Sequence, residues 1–213
     1  WNPSLSADGR WLAFESRAAS YGTNSGNSIS DVFLLDRQQN IVRLVSVNRD
    51  GTGGGNGPSS SPLLSADARF VVFKSKASDL VPGDTNGVTD IFARDLTTGA
   101  LYLLSGGNGR AGNGLSGNPV LGGDGRTVAF ESYASDLTPG DFNQDKDVFV
   151  LRLSAGDSDG DGLDDDWEVT YFGNLSRDGT GDADGDGTSD YAEFKAGTNP
   201  TDNASVFRVI TLL

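Results

Sequence analysis

Two acidic segments near the end of the chain carry the residues best suited to metal chemistry. They run from Asp157 to Glu168 and from Asp182 to Glu193, and each spans twelve residues. In both, aspartates occupy positions 1, 3 and 5, glycine occupies position 6 and glutamate occupies position 12. This is the pattern of a calcium-binding loop, in which the glycine makes a sharp turn and oxygen atoms surround a hard cation. The segments therefore predict two calcium sites.

Each loop position has its own predicted role at the metal. Besides the aspartates, position 7 offers a backbone carbonyl, position 9 a water-mediated contact and position 12 a bidentate carboxylate. In the first loop the predicted ligands are Asp157, Asp159, Asp161, Leu163, Asp165 and Glu168. In the second loop they are Asp182, Asp184, Asp186, Thr188, Asp190 and Glu193. An acidic linker would have a similar composition, but it gives no reason for glutamate at position 12 of both segments.

The net charge of the chain is concentrated around these loops. Residues 157–213 carry 14 acidic and 3 basic residues, which gives −11 of the total of −14. So many carboxylates in a short segment need counter-ions, and divalent cations supply them. The same balance argues against nucleic acid as a partner, because no stripe of basic residues is present to neutralise phosphates.

Three residue types are missing from the chain. It contains no Cys, His or Met, which excludes cysteine nucleophiles, histidine bases, imidazole zinc ligands and disulfides. No apolar run reaches the roughly 18 residues that a membrane-spanning helix needs. Because Met is absent, we expect that Trp1 is not the natural start and that the chain is an excerpt of a larger protein.

The first 156 residues contain a repeated unit. Proline, phenylalanine and aspartate recur with spacings of 59 and then 57 residues. The recurring positions are Pro3, Pro62 and Pro119; Phe14, Phe73 and Phe130; and Asp31, Asp90 and Asp147. A fixed period of about 50 residues or more indicates a propeller or a solenoid. Within each unit, short apolar runs between polar turns predict antiparallel strands of the kind that make a propeller blade.

Three repeated motifs carry a family resemblance. They are Ser-Ala-Asp-Gly-Arg-Trp-Leu-Ala-Phe-Glu-Ser at 6–16, Asp-Val-Phe-Leu-Leu-Asp at 31–36, and Ala-Ser-Asp-Leu-(Val/Thr)-Pro-Gly-Asp at 77–84 and 134–141. They resemble the TolB-like family of WD-type propeller repeats. The resemblance implies an all-β fold, an incomplete β-propeller of four-stranded antiparallel blades, and a scaffold that often binds proteins or glycans. Propellers close with about four to eight blades, so we expect further blades upstream and an N-terminal strand that completes the third unit.

A short helix is predicted to start inside each acidic loop. Trp167 and Tyr171 are four residues apart and Tyr191 and Phe194 are three apart, so each pair would share one helical face. The two faces could form a very small core, which metal binding would complete. No helix is predicted before either loop, so the module is a loop–helix unit and not a full EF-hand. The expected helix ends are Gly173 and Gly197.

The acidic motif carries a second resemblance. Asp-x-Asp-Gly-Asp-Gly, followed by Ala-Gly-Thr-Asn-Pro-Thr-Asp at 196–202, is similar to the calcium repeats of thrombospondin type 3 and of dockerin-like modules. The bacterial versions of these repeats sit between domains of secreted proteins. Glutamate at position 12 fits the EF-type loop better than the dockerin pattern, so the resemblance does not extend to cellulosome-style docking.

The loops inside the repeated units hold a weaker metal pattern. Asp141, Asn143, Asp145 and Asp147 would place oxygen atoms at positions 1, 3, 5 and 7 of a partial calcium loop. The equivalent loop at 84–90 has fewer carboxylates. The alternative for both is a pair of Asx-turns in which the last aspartate caps the next strand.

A catalytic site is not favoured by the remaining charged residues. Glu15 and Glu131 occupy equivalent positions, with Lys74 between them in the second unit. A catalytic carboxylate pair would require the two glutamates to converge on one pocket, whereas solvent-facing charges at strand ends are the default. Three arginines that follow the hairpin turns are expected to bind neighbouring aspartates; they are Arg10, Arg69 and Arg126.

The sequence thus predicts three segments. Residues 1–154 would form propeller-type blades, 155–203 a tandem calcium-binding loop–helix module, and 204–213 the start of a following strand or domain. The predicted function is non-enzymatic: the blades offer a surface to a protein or glycan, and the calcium-bound module is a rigid spacer in a secreted or cell-surface bacterial protein. The alternative is a fragment of an extracellular hydrolase or lyase that acts on polysaccharide or peptide, with its active site outside this segment.

Overall fold

The chain divides into two units in a computed structural model. They are Trp1–Leu153 and Ser154–Leu213. The structure describes residues 2–18, 29–107, 109–143, 145–153 and 161–205. Two predicted calcium ligands, Asp157 and Asp159, therefore lie outside the described residues, as does most of the predicted final strand, at 206–213.

The first unit contains three antiparallel sheets built from consecutive strands. The first sheet has β1 (Ser4–Leu5), β2 (Trp11–Ser16), β3 (Asp31–Asp36) and β4 (Ile41–Leu44). The second has β5 (Ser59–Leu64), β6 (Phe70–Ser75), β7 (Asp90–Asp95) and β8 (Leu101–Leu103). A small hairpin of β9 (Gly106–Gly107) and β10 (Arg110–Ala111) precedes the third, which has β11 (Ser116–Leu121), β12 (Thr127–Ser132) and β13 (Asp147–Arg152). This is the blade topology of a β-propeller, so the first unit is a partial propeller.

A stacked phenylalanine pair marks the same register in each blade. Each pair joins the second and third strands of its sheet, and the two residues are directly opposite each other. The pairs are Phe14–Phe33, Phe73–Phe92 and Phe130–Phe149, with ring centroids 5.7, 5.8 and 5.6 Å apart. Their recurrence confirms the repeat that the sequence spacing predicts.

Neighbouring blades pack face to face through apolar side chains. Because successive strand residues point to opposite faces, Val71 enters the core shared with the first blade and Val72 the core shared with the third. Leu34 of the first blade and Val128 of the third are their counterparts in these two cores. Burying such a side chain contributes roughly 1.5–3 kcal/mol each, so inter-blade packing is a main source of stability.

The outer face of the third blade is apolar but exposed. Val148 and Val150 are 70% and 67% exposed, whereas the equivalent Val32 and Leu34 of the first blade are 0% and 3% exposed. The alternation that builds the inter-blade cores therefore continues onto a face that no described residue covers.

A Gly-Asn-Gly segment fastens the start of the second blade to the loop after β6. Asn56 N donates to Asp79 Oδ1 (2.9 Å), Asn56 Nδ2 donates to Ser78 Oγ (3.0 Å), and Ser78 N donates back to Asn56 Oδ1 (2.9 Å). A Cβ on Gly55 would lie 2.6 Å from the Cβ of Ala77, so only glycine fits there. These contacts explain the repeated Ala-Ser-Asp motif. The third blade repeats them with Gly112, Asn113, Ala134, Ser135 and Asp136.

The hairpin turn before the second strand places a left-handed residue in every blade. Gly9 and Gly125 have φ of 65° and 68°. Ala68 takes the same place in the second blade, with φ of 58°. The left-handed region costs a residue with a Cβ about 1–2 kcal/mol, so this blade carries a strain that the other two lack.

The arginines that follow these turns bind aspartates, which confirms the sequence prediction. Arg10 Nη2 lies 2.7 Å from Asp36 Oδ2 at the end of β3. The hydrogen bond from Arg10 is the main reason that the pKa of Asp36 falls to about 2. The other two ion pairs are Arg69–Asp95 at 3.3 Å and Arg126–Asp67 at 3.7 Å.

A buried aspartate at the start of the third strand bonds to a serine just after the fourth. In the first blade Ser46 Oγ donates to Asp31 Oδ1 (2.8 Å) and accepts from Val32 N (3.1 Å). In the second blade Ser105 Oγ donates to Asp90 Oδ1 at 2.7 Å. Each clamp ties the outermost strand to its neighbour by burying a charge-assisted hydrogen bond.

The third blade has no such clamp in the described part of the chain. Asp147 is the equivalent residue, and its Oδ2 is buried without a hydrogen-bond partner. Within the described residues β13 is the last strand of this sheet, so no fourth strand supplies a serine.

The second unit contains two short helices, as the sequence predicts. Helix α1 spans Asp165–Phe172 and α2 spans Asp190–Ala196. The side chains of Asp164 and Ser189 cap their N-termini by accepting backbone N–H bonds. Such caps satisfy amides that have no partner within the helix. The predicted C-terminal ends are confirmed: Gly173 and Gly197 are left-handed, with φ of 74° and 73°.

Aromatic rings form the small core of the second unit. Trp167 is 6% exposed and contacts Tyr171 within α1 and Phe194 of α2, with ring centroids 5.3 Å apart in both pairs. Tyr191 lies against Phe194 at 6.5 Å. The prediction that the two helical faces meet is therefore confirmed. In the part of the chain that the structure describes, no helix is long and apolar enough to cross a membrane.

Candidate metal centre

Three aspartates of the second loop bring their carboxylates together. Oxygen atoms of Asp182, Asp184 and Asp186 all lie within 4.8 Å of one another. They are spaced two residues apart, and the chain turns sharply after them at Gly187, whose φ is 94°. Gly162 of the first loop has a φ of 93°, so position 6 makes the predicted turn in both loops.

Each of these aspartates uses part of its carboxylate to shape the loop. Asp182 accepts N–H bonds from Gly185 (2.8 Å) and Gly187 (2.9 Å). Asp184 Oδ1 accepts from Asp186 N (3.1 Å), and Asp186 Oδ1 accepts from Thr188 N (2.7 Å). The hydrogen bond from the Gly187 amide is the main cause that lowers the pKa of Asp182. Backbone amides thus hold the three carboxylates in place.

The remaining oxygens of two aspartates are buried without a partner. Within the described residues, Asp184 Oδ2 and Asp186 Oδ2 make no hydrogen bond, and the same holds for Glu193 Oε2. A buried carboxylate oxygen without a donor costs about 1–3 kcal/mol or more. Such oxygens are the hard ligands that calcium prefers, so this donor set fits a calcium ion.

Glu193 is a buried carboxylate at position 12 of the second loop. It is 1% exposed, and its Oε1 accepts a hydrogen bond from Thr198 Oγ1 at 3.3 Å. Burial raises the pKa of Glu193, and the charges of Asp184 and Asp186 raise it further. The three carboxylates repel one another because their negative charges are held close together. A cation between them would offset this repulsion.

Asp190 is held by protein donors, a role that the sequence analysis did not foresee. It is fully buried; Oδ1 accepts from Ala183 N (3.0 Å) and Oδ2 accepts from Arg177 Nη1 (2.7 Å). The water-mediated metal contact of Asp190 stays a prediction, and the observed bonds connect the start of the loop to α2. Arg177 was missed entirely. Its signal in the sequence is that it is the sole basic residue between Asp157 and Phe194.

The described part of the first loop, residues 161–168, shares several features with the second. Leu163 N donates to Asp161 Oδ1 at 2.8 Å, as Thr188 N does to its own aspartate. Leu163 is 1% exposed and Glu168 is fully buried. Asp165 begins α1 at the position that Asp190 has in α2.

The loop of the third blade is shaped by a hydrogen bond between two of its predicted ligands. Asn143 Oδ1 accepts from Asp145 N (2.8 Å), which makes it an Asx-turn. Asp145 is exposed and Asp141 is half-buried. Among the described residues the structure brings together three or more candidate ligand groups solely in the second acidic loop. Whether Asp147 joins a metal site stays a prediction.

The loop of the second blade also forms Asx-type bonds. Asn86 Oδ1 accepts from Val88 N (2.9 Å), and Asn86 Nδ2 donates to Asp90 Oδ2 (2.8 Å). Asp84 is 4% exposed, and burial together with the charges of Asp90 and Asp79 raises its pKa to about 6.

The two glutamates considered as a catalytic pair are each bound within the protein. Glu15 Oε2 accepts from Ser61 N (2.8 Å). Burial works to raise the pKa of Glu15, but the hydrogen bonds that it accepts lower it overall. The pKa of Glu131 is lowered chiefly by Lys146, whose Nζ lies 2.8 Å away, and by Asn118. A general acid would need a raised pKa.

The acidic unit has a recognisable relative among protein families. Residues 157–173 and 182–203 match the model of the bacterial TSP3 repeat. The two matches contain both acidic loops and both helices, and they confirm the resemblance that the motif indicated. A TSP3 assignment supports calcium binding as a structural property of this unit. No curated protein sequence matches the chain.

Solved structures similar to the chain are β-propellers of low sequence identity. TolB from Acinetobacter baumannii is 16% identical with a TM-score of 0.45, and the match covers 73% of this chain and 30% of that one. The β-propeller domain of the Trilobed protease from Pyrococcus furiosus is 12% identical with a TM-score of 0.41, and the match covers 71% and 42% of the two chains. The chain thus spans less than half of either structure, and the propeller assignment rests on its own sheet order.

Proposed function

We propose that the second unit is a structural calcium module with one ion in each acidic loop. The observation that carries the proposal is the set of inward oxygens of Asp184, Asp186 and Glu193, which are buried without a hydrogen-bond partner among the described residues. A cation would satisfy them and offset their repulsion. The match to the TSP3 repeat supports the same conclusion.

The donor chemistry favours calcium over other metals. Every candidate ligand is an oxygen atom, and the chain has no Cys or His to attract zinc. Magnesium demands near-ideal octahedral geometry and gives up its water reluctantly, whereas calcium accepts irregular sets of about six to eight oxygens. A loop with a glutamate at position 12 suits the larger ion.

Metal binding would stabilise the folded second unit, because the apolar core of this unit is small. A few aromatic side chains around Trp167 are its main apolar contacts. Units with so little core depend on a metal or another cross-link for stability. The calcium-bound unit would then be a stiff spacer, and its apo form would loosen through repulsion between carboxylates.

The first unit serves as the binding scaffold in this proposal. Three blades with exposed loops offer a surface to a protein or a glycan, and the bacterial TSP3 match favours a secreted or cell-surface setting. Calcium outside cells is abundant enough to fill sites with dissociation constants on the order of 10⁻⁴–10⁻³ M. The module would therefore stay loaded there and not act as a calcium sensor.

Calorimetric titration with calcium tests the proposal. We expect about two ions per chain. Asp184→Asn combined with Asp186→Asn should remove one, and Asp161→Asn combined with Glu168→Gln should remove the other. Asp178→Asn is the matched control, because this aspartate lies between the loops and bonds to Thr180.

The titration has clear contrary results. Absence of binding at millimolar calcium would refute the proposal, and so would an ion count that all four loop substitutions leave unchanged. A count near four, with two ions left in the combined variant, would place further calcium in the blade loops at 84–90 and 141–147.

A further inference from the structure

The lysines of this acidic chain are unevenly distributed. The sequence contains four of them, at positions 74, 76, 146 and 195. Three of the four line one cavity of about 360 Å³ between the second and third blades. The first unit carries only −3 of the total net charge of −14, so three lysines in one concave site give that site a positive potential that the unit as a whole lacks.

The cavity is built from residues at the ends of paired strands. Lys74 lies near the end of β6, Lys76 follows that strand, and Lys146 precedes β13. The single acid in the lining is Glu131, which accepts from Lys146 Nζ (2.8 Å) and from Asn118 Nδ2 (2.7 Å). The lining therefore has three positive charges and one negative charge.

Two of the three amino groups remain available. Among the described residues, Nζ of Lys74 and Nζ of Lys76 make neither an ion pair nor a hydrogen bond, whereas Lys146 is paired with Glu131. Exposed lysines usually extend into water without a ligand. Here Lys74, which is half-buried, and Lys76, which is exposed, line the same cavity, and partial exclusion of water in a concave site strengthens their attraction for an anion.

The rest of the lining matches a sugar better than a bare anion. Tyr133 is 50% exposed and lines the cavity, and an aromatic ring can pack against the apolar face of a sugar. Ser60, Thr89 and Asn118 add hydroxyl and amide groups that can bond to sugar hydroxyls. No arginine lines the cavity, so the site lacks the planar fork that binds carboxylate and phosphate bidentately. Lysines bind either anion as point charges, so it is Tyr133 and the neutral polar groups that favour a sugar acid over a small anion.

We propose that this cavity binds an acidic oligosaccharide, with a uronate carboxylate at Lys74 and Lys76 and a sugar ring against Tyr133. A volume at the lower end of the usual range for ligand sites accommodates one or two sugar residues. Glu131, held by Lys146 and Asn118, accepts hydrogen bonds from sugar hydroxyls. This site lies wholly within the first unit and does not depend on the calcium proposal.

Calorimetry with trigalacturonate tests this proposal. The full chain is titrated in calcium-free buffer with a chelator and low salt, because calcium would bind the uronate itself. Maltotriose, a neutral sugar of the same length, is the comparison ligand. We expect saturable binding of trigalacturonate, and binding of maltotriose that is weaker by about tenfold or more, since it lacks the charge-assisted bonds.

Variants separate the charges from the ring. Lys74→Ala combined with Lys76→Ala should weaken trigalacturonate binding by about tenfold or more. Lys195→Ala, which removes the fourth lysine, should leave it within about twofold. Tyr133→Ala should weaken trigalacturonate and leave citrate, a small carboxylate without a ring face, unchanged. Circular dichroism of each variant establishes that the blades stay folded.

Several results would overturn the proposal. The first is equal affinity for maltotriose and trigalacturonate. The second is an equal loss of trigalacturonate affinity in the double variant and in Lys195→Ala. The third is that the folded wild type does not bind trigalacturonate at millimolar concentration. Inorganic phosphate or citrate that binds as tightly as trigalacturonate would show a site for small anions and refute the saccharide assignment.

Discussion

Arg177 and Asp190 form an ion pair in which the guanidinium Nη1 lies 2.7 Å from a fully buried carboxylate oxygen. The same guanidinium lies over the ring of Phe172 at the end of α1, 4.4 Å from its centroid. One side chain therefore connects the first helix to the second loop. The two segments that match the TSP3 repeat are therefore connected through a residue that belongs to neither acidic loop.

We expect Arg177→Ala to lower the stability of the second unit. The substitution leaves the Asp190 carboxylate buried without its cation, and breaking a fully buried pair costs about 3–5 kcal/mol. Because Arg177 is 37% exposed, solvent screening reduces the expected loss to roughly 1–2 kcal/mol. Trp167 fluorescence during denaturant unfolding in saturating calcium measures it.

A double variant distinguishes the ion pair from a general packing loss. Asp190→Asn added to Arg177→Ala removes the unpaired charge and should recover part of the stability. Equal stability of Arg177→Ala and the wild type would show that the pair contributes nothing. Arg49→Ala is the control, because Arg49 is a half-exposed arginine paired weakly with Asp50 at 3.8 Å.

We expect Ala68→Gly to stabilise the first unit. Ala68 occupies the left-handed position that Gly9 and Gly125 occupy in the other two blades. Glycine relieves the strain of a Cβ in the left-handed region, and this effect is larger than the entropy that glycine adds to the unfolded chain. The free energy of unfolding should therefore rise by about 0.5–1 kcal/mol. Gly125→Ala should destabilise by a similar amount. Chemical denaturation measures both, and a loss of stability in Ala68→Gly would contradict the strain argument.

Equivalent apolar positions in different blades should respond differently to truncation. Leu34→Ala removes a buried side chain and should cost about 2–4 kcal/mol. Val150→Ala, at the matching position of the third blade, should cost less than about 0.5 kcal/mol because this valine is 67% exposed. Thermal unfolding of both variants gives the comparison. A similar cost for both would mean that the outer face of the third blade is covered in solution.

We expect Asp84→Asn to stabilise the first unit at neutral pH in the presence of a chelator. The pKa of Asp84 is raised from 3.8 to about 6. A carboxyl with a raised folded-state pKa opposes folding above that pKa, and the opposition fades as pH falls from about 7 towards 4. The difference in unfolding free energy between variant and wild type should therefore be largest at pH 7 and shrink on acidification. A difference that is constant with pH would contradict this origin.

The blades were predictable because their determinants are local. Spacing of Phe14, Phe73 and Phe130 gave the repeat, and alternation in the runs around them gave the strands. The turn at the two loop glycines and the caps at Gly173 and Gly197 follow from residue type alone, since few residues tolerate positive φ.

The misses have a common cause, which is that they depend on contacts between distant segments. The brace from Arg177 to Asp190 joins residues thirteen positions apart across a turn, and the sequence does not show which aspartate a lone arginine will choose. The hairpin of β9 and β10 contains no apolar run from which its strands could be predicted. The cavity around Lys74 and Lys146 forms where two blades meet, so its lysines look like unrelated surface residues in the sequence.

The Gly-Asn-Gly fastening has an evolutionary consequence. Asn56 and Asn113 make the same bonds, each to the Ser-Asp pair 22 and 23 residues later in its own unit. A duplicated stretch of one period would therefore contain both the asparagine and the Ser-Asp pair to which it bonds. Blade number could change by tandem gene duplication or deletion without the simultaneous origin of a new contact, so arrays of different length are accessible to this lineage by single genetic events.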